Sequence, residues 1–129
     1  MKKGVLVLGL FLLTIILFCL SNISLVSSLT YTWGYAGTVP VSGDYNGDDY
    51  FDLASYDPAL GKWYIRSIIG AGKNLAWNLA WGYAGTIPVS GDYNGDGHYD
   101  LAVFDPASAK WYIAQLKSDG TLGSVLASN

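Results

Sequence analysis

An all-β fold, built as two four-stranded antiparallel propeller blades with an extra N-terminal strand, is the expectation for this 129-residue chain. Three features carry it. A unit of 48 residues is written twice: Trp33 to Ile65 and Trp81 to Ile113 align without a gap and agree at 25 of 33 positions. A period of about 40 to 50 residues is the signature of propeller blades or solenoids, whose units bury their apolar faces only against their neighbours. Turn residues punctuate each copy at the spacing of meandering antiparallel strands, and beyond the N-terminal segment no stretch has a helical period.

The first 28 residues stand apart from the fold. Lys2 and Lys3 precede a run without charge from Gly4 to Leu20, the pattern of an export signal or a membrane-anchoring helix. Val26 and Ser28 suit cleavage after Ser28, with Ser21 as an alternative. The competing reading is an uncleaved anchor through residues 4–20, a span at the short end of what crosses a bilayer. Cys19 offers a lipid attachment point, although Phe18 before it is bulkier than such processing prefers. All of these readings place the remainder outside the cytoplasm, secreted or surface-tethered.

Residues 29–80 are expected to form the first blade with its leading spare strand, and 81–129 the second. In the first copy the strands are expected at Val39–Tyr45, Asp52–Asp57, Lys62–Ile69 and Asn74–Trp81. In the second they fall at Ile87–Tyr93, Asp100–Asp105, Lys110–Leu116 and Thr121–Ala127. Leu29 to Trp33 matches the end of a fourth strand by the period and is the spare one. Two blades cannot close a ring of the usual four to eight. Self-association into a composite ring, an open module capped by its termini, and a fragment of a longer propeller all remain open.

From Leu29 onward there is no cysteine, so metal and packing must hold the fold without disulfides. Five Lys and Arg stand against ten Asp there, a net charge of −5. Such a balance leaves no basic patch for phosphates and argues against nucleic acid. Six of the ten aspartates fall at alternate positions of two duplicated loops: Asp44, Asn46, Asp48 and Asp52, then Asp92, Asn94, Asp96 and Asp100. Oxygen ligands at the first, third, fifth and ninth loop positions suit Ca²⁺, which takes six to eight of them. Tyr50 and His98, at the seventh, would each contribute a backbone carbonyl. About two Ca²⁺ ions per chain are expected, with a weaker first site, because Asp49 stands at the tight sixth position where the second loop has Gly97. The plain alternative is that these acids only form Asx-turns.

Ser55 and Val103 occupy position twelve, so neither loop is an EF-hand. DYNGDGHYDLAVFDP and DYNGDDYFDLASYDP instead resemble the FG-GAP or VCBS repeats of extracellular β-propellers, with a DxNxDGxxDL loop. The resemblance implies that calcium is structural and braces the inner strand of each blade.

Aromatic residues recur with the repeat, and packing explains most of them. Trp33 with Tyr35 and Trp81 with Tyr83 are the candidates for a ligand contact, because the intervening glycine opens the surface beside the ring. Stacking on a glycan is the activity expected of them, while a structural repeat that binds only calcium and itself is the other reading. Catalysis is not expected. His98 is the only histidine and has no repeat counterpart, nothing marks a serine as activated, and the carboxylates are committed to the loops.

Overall fold

The computed structural model describes residues 30–128, and from Thr32 onward these form one compact unit. The signal or anchor expected over residues 1–28 lies outside the described residues, as does Leu29. Among the described residues no helix is long and apolar enough to cross a membrane.

Eight strands follow in order: β1 Val39–Pro40, β2 Leu53–Asp57, β3 Lys62–Arg66, β4 Asn74–Ala80, β5 Ile87–Pro88, β6 Leu101–Asp105, β7 Lys110–Leu116 and β8 Leu122–Ser128. They form two antiparallel four-stranded meanders, β1-β2-β3-β4 and β5-β6-β7-β8. Asp57 starts the β2–β3 turn: its carboxylate accepts the N–H groups of Ala59 and Leu60, and its carbonyl accepts that of Gly61. Gly61 supplies the left-handed backbone, φ 65°, that lets the chain double back. The register then sets Tyr56 opposite Trp63 and Phe104 opposite Trp111, with ring centroids 4.9 and 5.2 Å apart. Such aromatic cross-strand pairs pin a hairpin in place.

Three expectations about strands need correction. The first strand of each copy is only two residues long, not seven, although Val41 and Val89 still donate to Ala54 and Ala102 and single bridges join Gly43 to Asp52 and Gly91 to Asp100. The reason lies in the acidic loop, where the N–H groups of Tyr45 and Tyr93 go to the carboxylates of Asp52 and Asp100 rather than to a ladder. β3 stops at Arg66, short of Ile69, because Gly70 and Gly72 turn the chain with positive φ. The extra N-terminal strand does not form over the described residues 30–33. Its period places it against a third strand of a preceding sheet, and no such strand is present among the described residues; Trp33 anchors instead by donating its indole N–H to the Tyr64 carbonyl.

One core runs between the two sheets. Tyr45, Tyr56, Trp63 and Ile65 from the first sheet cluster with Leu101 and Val103 from the second. Fully burying each large side chain of this set contributes roughly 2–3 kcal/mol. The Trp63 indole donates to the Trp81 carbonyl at 2.7 Å, and the Tyr56 hydroxyl pairs with that of Thr86. Both of these polar tips are thereby satisfied across the joint or at its edge.

Candidate functional site

The two acidic loops are built by one hydrogen-bond scheme. In the first, Asp44 accepts from the backbone N–H groups of Gly47, Asp48 and Asp49 at 2.6, 3.2 and 2.8 Å. In the second, Asp92 accepts from Gly95, Asp96 and Gly97 at 2.7, 3.1 and 2.9 Å. Asn46 and Asn94 accept from Asp48 and Asp96, which in turn accept from Tyr50 and His98. The ninth-position carboxylates, Asp52 and Asp100, close the loops on Tyr45 and Tyr93. Position six is left-handed in both, φ 66° at Asp49 and 86° at Gly97.

Electrostatics divide these carboxylates into two kinds. Burial, followed by the neighbouring Asp48 and Asp44 charges, pushes the Asp52 carboxyl above its ordinary range, and Asp100 is raised by burial and by Asp96 and Asp92. Donation from the Gly97 N–H holds Asp92 below that range, and donation from the His98 N–H does the same for Asp96. All donors offered are hard oxygens, the type that suits Ca²⁺. An ionised carboxylate has about four lone-pair positions, so accepting backbone N–H groups leaves others for a cation. Among the described residues no group of three or more Asp, Glu, His or Cys side chains is gathered closely enough to hold a metal ion. The loops thus match a calcium loop in donor type and spacing, and the bonds they display are those of Asx-turns.

His98, expected to serve through its backbone, has a second place. Its ring lies over Gly47 of the other loop, where a Cβ would come within 2.6 Å of it.

Of the aromatic candidates, Trp33 and Tyr35 lie together in a recess of about 530 Å³ that Tyr64, Trp77 and Asn78 also line. Trp77 stacks edge-on against Trp33 at 5.7 Å and against Tyr64 at 5.2 Å, and remains 64% exposed. The Arg66 guanidinium lies 5.8 Å from the Trp33 ring centre and is tied to Asn74 at 2.9 Å. The Tyr35 hydroxyl donates to Asp57, a bond that raises the phenol pKa and lowers that of the carboxyl. Trp81 and Tyr83 repeat part of this: the Trp81 indole donates to the Tyr112 carbonyl, and Tyr83 donates to Asp105. β8, LGSVLAS, supplies no aromatic residue to play the part of Trp77.

Trp77, Tyr64 and Arg66 were not among the residues nominated from the sequence. The signal was there in Trp77, the one tryptophan of five without a partner under the 48-residue period.

No curated protein and no solved structure matches the chain. Residues 84–125, the stretch that spans the second acidic loop and most of the second sheet, match the model of the FG-GAP repeat. The family whose model matches there is the one that the acidic-loop motif resembles.

Proposed function

We propose that this chain is an exported binding module, braced by Ca²⁺ at its two acidic loops, that takes a carbohydrate ring in the recess of the first sheet. The observation that carries the reading is the recess itself. Trp33, Tyr35, Tyr64 and Trp77 present ring faces and edges around an open space, and the large apolar Trp77 is left exposed at its mouth. Apolar walls with a few polar groups at the edge are what small-molecule sites share. The C–H face of a sugar packs on such rings, while its hydroxyls reach Asn78 and the rim. A folding role explains Trp63, which is fully buried, but not Trp77.

Calcium would be held by Asp44, Asn46, Asp48 and Asp52 with the Tyr50 carbonyl, and by Asp92, Asn94, Asp96 and Asp100 with the His98 carbonyl. The cation would offset the like charges that raise Asp52 and Asp100, and so stiffen the loop from which β2 and β6 start. The function is binding, with no catalytic step. Export is supported by the charge-free run behind Lys2 and Lys3 and by the match to the FG-GAP repeat.

A glycan array probed with the full chain, followed by titration of any hit, tests the recess. Trp77→Ala should abolish binding with the unfolding temperature nearly unchanged, since that side chain is mostly exposed. Binding that survives both Trp77→Ala and Trp33→Ala would reject the recess as the site.

A further inference from the structure

The two sheets share most of their sequence but not their surroundings. Two large aromatic side chains of the first sheet that pack on the second are buried, whereas their counterparts 48 positions later are open. Tyr45 is 2% exposed and Tyr93 45%; Trp63 is 0% exposed and Trp111 43%. The glycines agree. A Cβ on Gly43 or Gly47 would run into the Tyr99 or His98 ring of the second sheet, but nothing lies within 4 Å of one on Gly95, and Gly91 would meet only its own neighbour Tyr93 at 3.5 Å. The open face is already organised: Trp111 packs on Phe104 at 5.2 Å and on Tyr93 at 6.5 Å.

The complement of that face is carried at the other end of the same chain. Tyr99 and His98, which fill the cradles of the first sheet, correspond to Phe51 and Tyr50, which are 62% and 57% exposed. We propose that the face of the second sheet made by Tyr93, Phe104 and Trp111 docks the first sheet of a second copy of this chain, head to tail. The joint between the two sheets is the template. Phe51 of the second copy takes the place of Tyr99 over Gly91, and Tyr50 of the second copy that of His98 over Gly95. The Trp111 indole donates to the Trp33 carbonyl of the second copy, as Trp63 does to Trp81 within one chain at 2.7 Å. The match in shape is a property of the repeat, so the occupant that fits by construction is another copy. A heterologous joint of this kind closes into a ring or runs on as a filament, according to its rotation.

Besides Phe51 for Tyr99 and Tyr50 for His98, the second joint sets Ser55 of the second copy where Val103 packs in the first, and two further changes lie on the docking face itself. Phe104 lacks the hydroxyl by which Tyr56 reaches Thr86. Ala109 replaces Gly61, where a Cβ would lie 2.5 Å from the Gly82 backbone, so the Ala109 methyl holds the copies further apart there. Ala109→Gly therefore tightens association.

This proposal is independent of the carbohydrate reading. Tyr83, the counterpart of the recess residue Tyr35, stays 43% exposed in the joint within the chain, so docking leaves the recess accessible. The test is the mass of the full chain by light scattering, with bound detergent subtracted. Trp111→Lys spoils one face and Phe51→Lys the other. The wild type should be oligomeric, each variant alone monomeric with an unchanged circular dichroism spectrum, and an equimolar mixture of the two dimeric, because one intact face of each remains. A monomeric wild type, a variant that still self-associates, or a mixture that stays monomeric would overturn the proposal. Loss of sugar binding in Trp77→Ala without change of mass would separate the two readings.

Discussion

Trp63 and Trp111 stand in the same string, Lys-Trp-Tyr-Ile, and on the same strand of their sheets, yet one is sealed and the other is 43% exposed. Their substitution should therefore differ. Trp63→Ala leaves a cavity at the centre of the core and is expected to cost about 3–5 kcal/mol, whereas Trp111→Ala, measured on monomer, should cost roughly half of that or less. Urea unfolding of both variants checks the ratio; equal losses would mean that the face of the second sheet is covered in solution. Asp49 offers a test of opposite sign. Its left-handed φ of 66° crowds the Cβ in a way that costs an ordinary residue about 1–2 kcal/mol. Asp49→Gly removes that strain and one of the first loop's four carboxylates, while glycine's greater freedom in the unfolded chain returns part of the gain. Net stabilisation in calcium-free buffer of up to about 1 kcal/mol is expected, and a destabilised variant would contradict the strain argument.

At the scale of the element, each hairpin turn is tied by an acid. Asp57 holds the N–H groups of the turn and receives the Tyr35 hydroxyl, and Asp105 receives those of Ser108 and Tyr83. The Tyr35 bond keeps the folded-state pKa of Asp57 below its unfolded value. Its contribution to stability is thus complete above the ordinary carboxylate range and is lost as pH falls through the folded value. Tyr35→Phe should flatten the acid limb of the stability curve and leave its slope near neutrality unchanged; an unaltered acid limb would show that the bond does not matter in solution. The two hairpins, β2–β3 and β6–β7, were legible in the sequence because alternation and the Asp-Pro turns act locally. The first strands were not, since a side-chain carboxylate seven residues away captures the N–H of Tyr45, a competition that no pattern of hydrophobicity records. The recess was half legible for a similar reason: the repeated Trp-Gly-Tyr stood out, but Trp77 and Tyr64 join it only through pairing of β3 with β4.

At the scale of the whole molecule, duplication made the architecture readable and hid its asymmetry. Similar strings imply similar blades, but the first has a neighbour on the face where the second, among the described residues, has none, and burial is a property of neighbours. The acidic loops show the same limit. Their spacing gives the donor set, while the bonds on display, N–H groups held by Asp44 and Asp92, belong as much to a turn as to a metal site. We propose calcium for them nonetheless, because Asp52 and Asp100 are 1% exposed and lie beside further acids in both copies. A cation bound only by the folded state raises stability by about 2.7 kcal/mol at a hundredfold excess over its dissociation constant. Asp92→Asn should remove the tighter site and leave the one strained by Asp49. The most direct measurement is calorimetric titration of the full chain with Ca²⁺, paired with thermal unfolding in Ca²⁺ and in EGTA. About two ions per chain, the first loop filling last, and a higher unfolding temperature with Ca²⁺ are the expected result; no heat of binding and the same unfolding temperature in both buffers would contradict it.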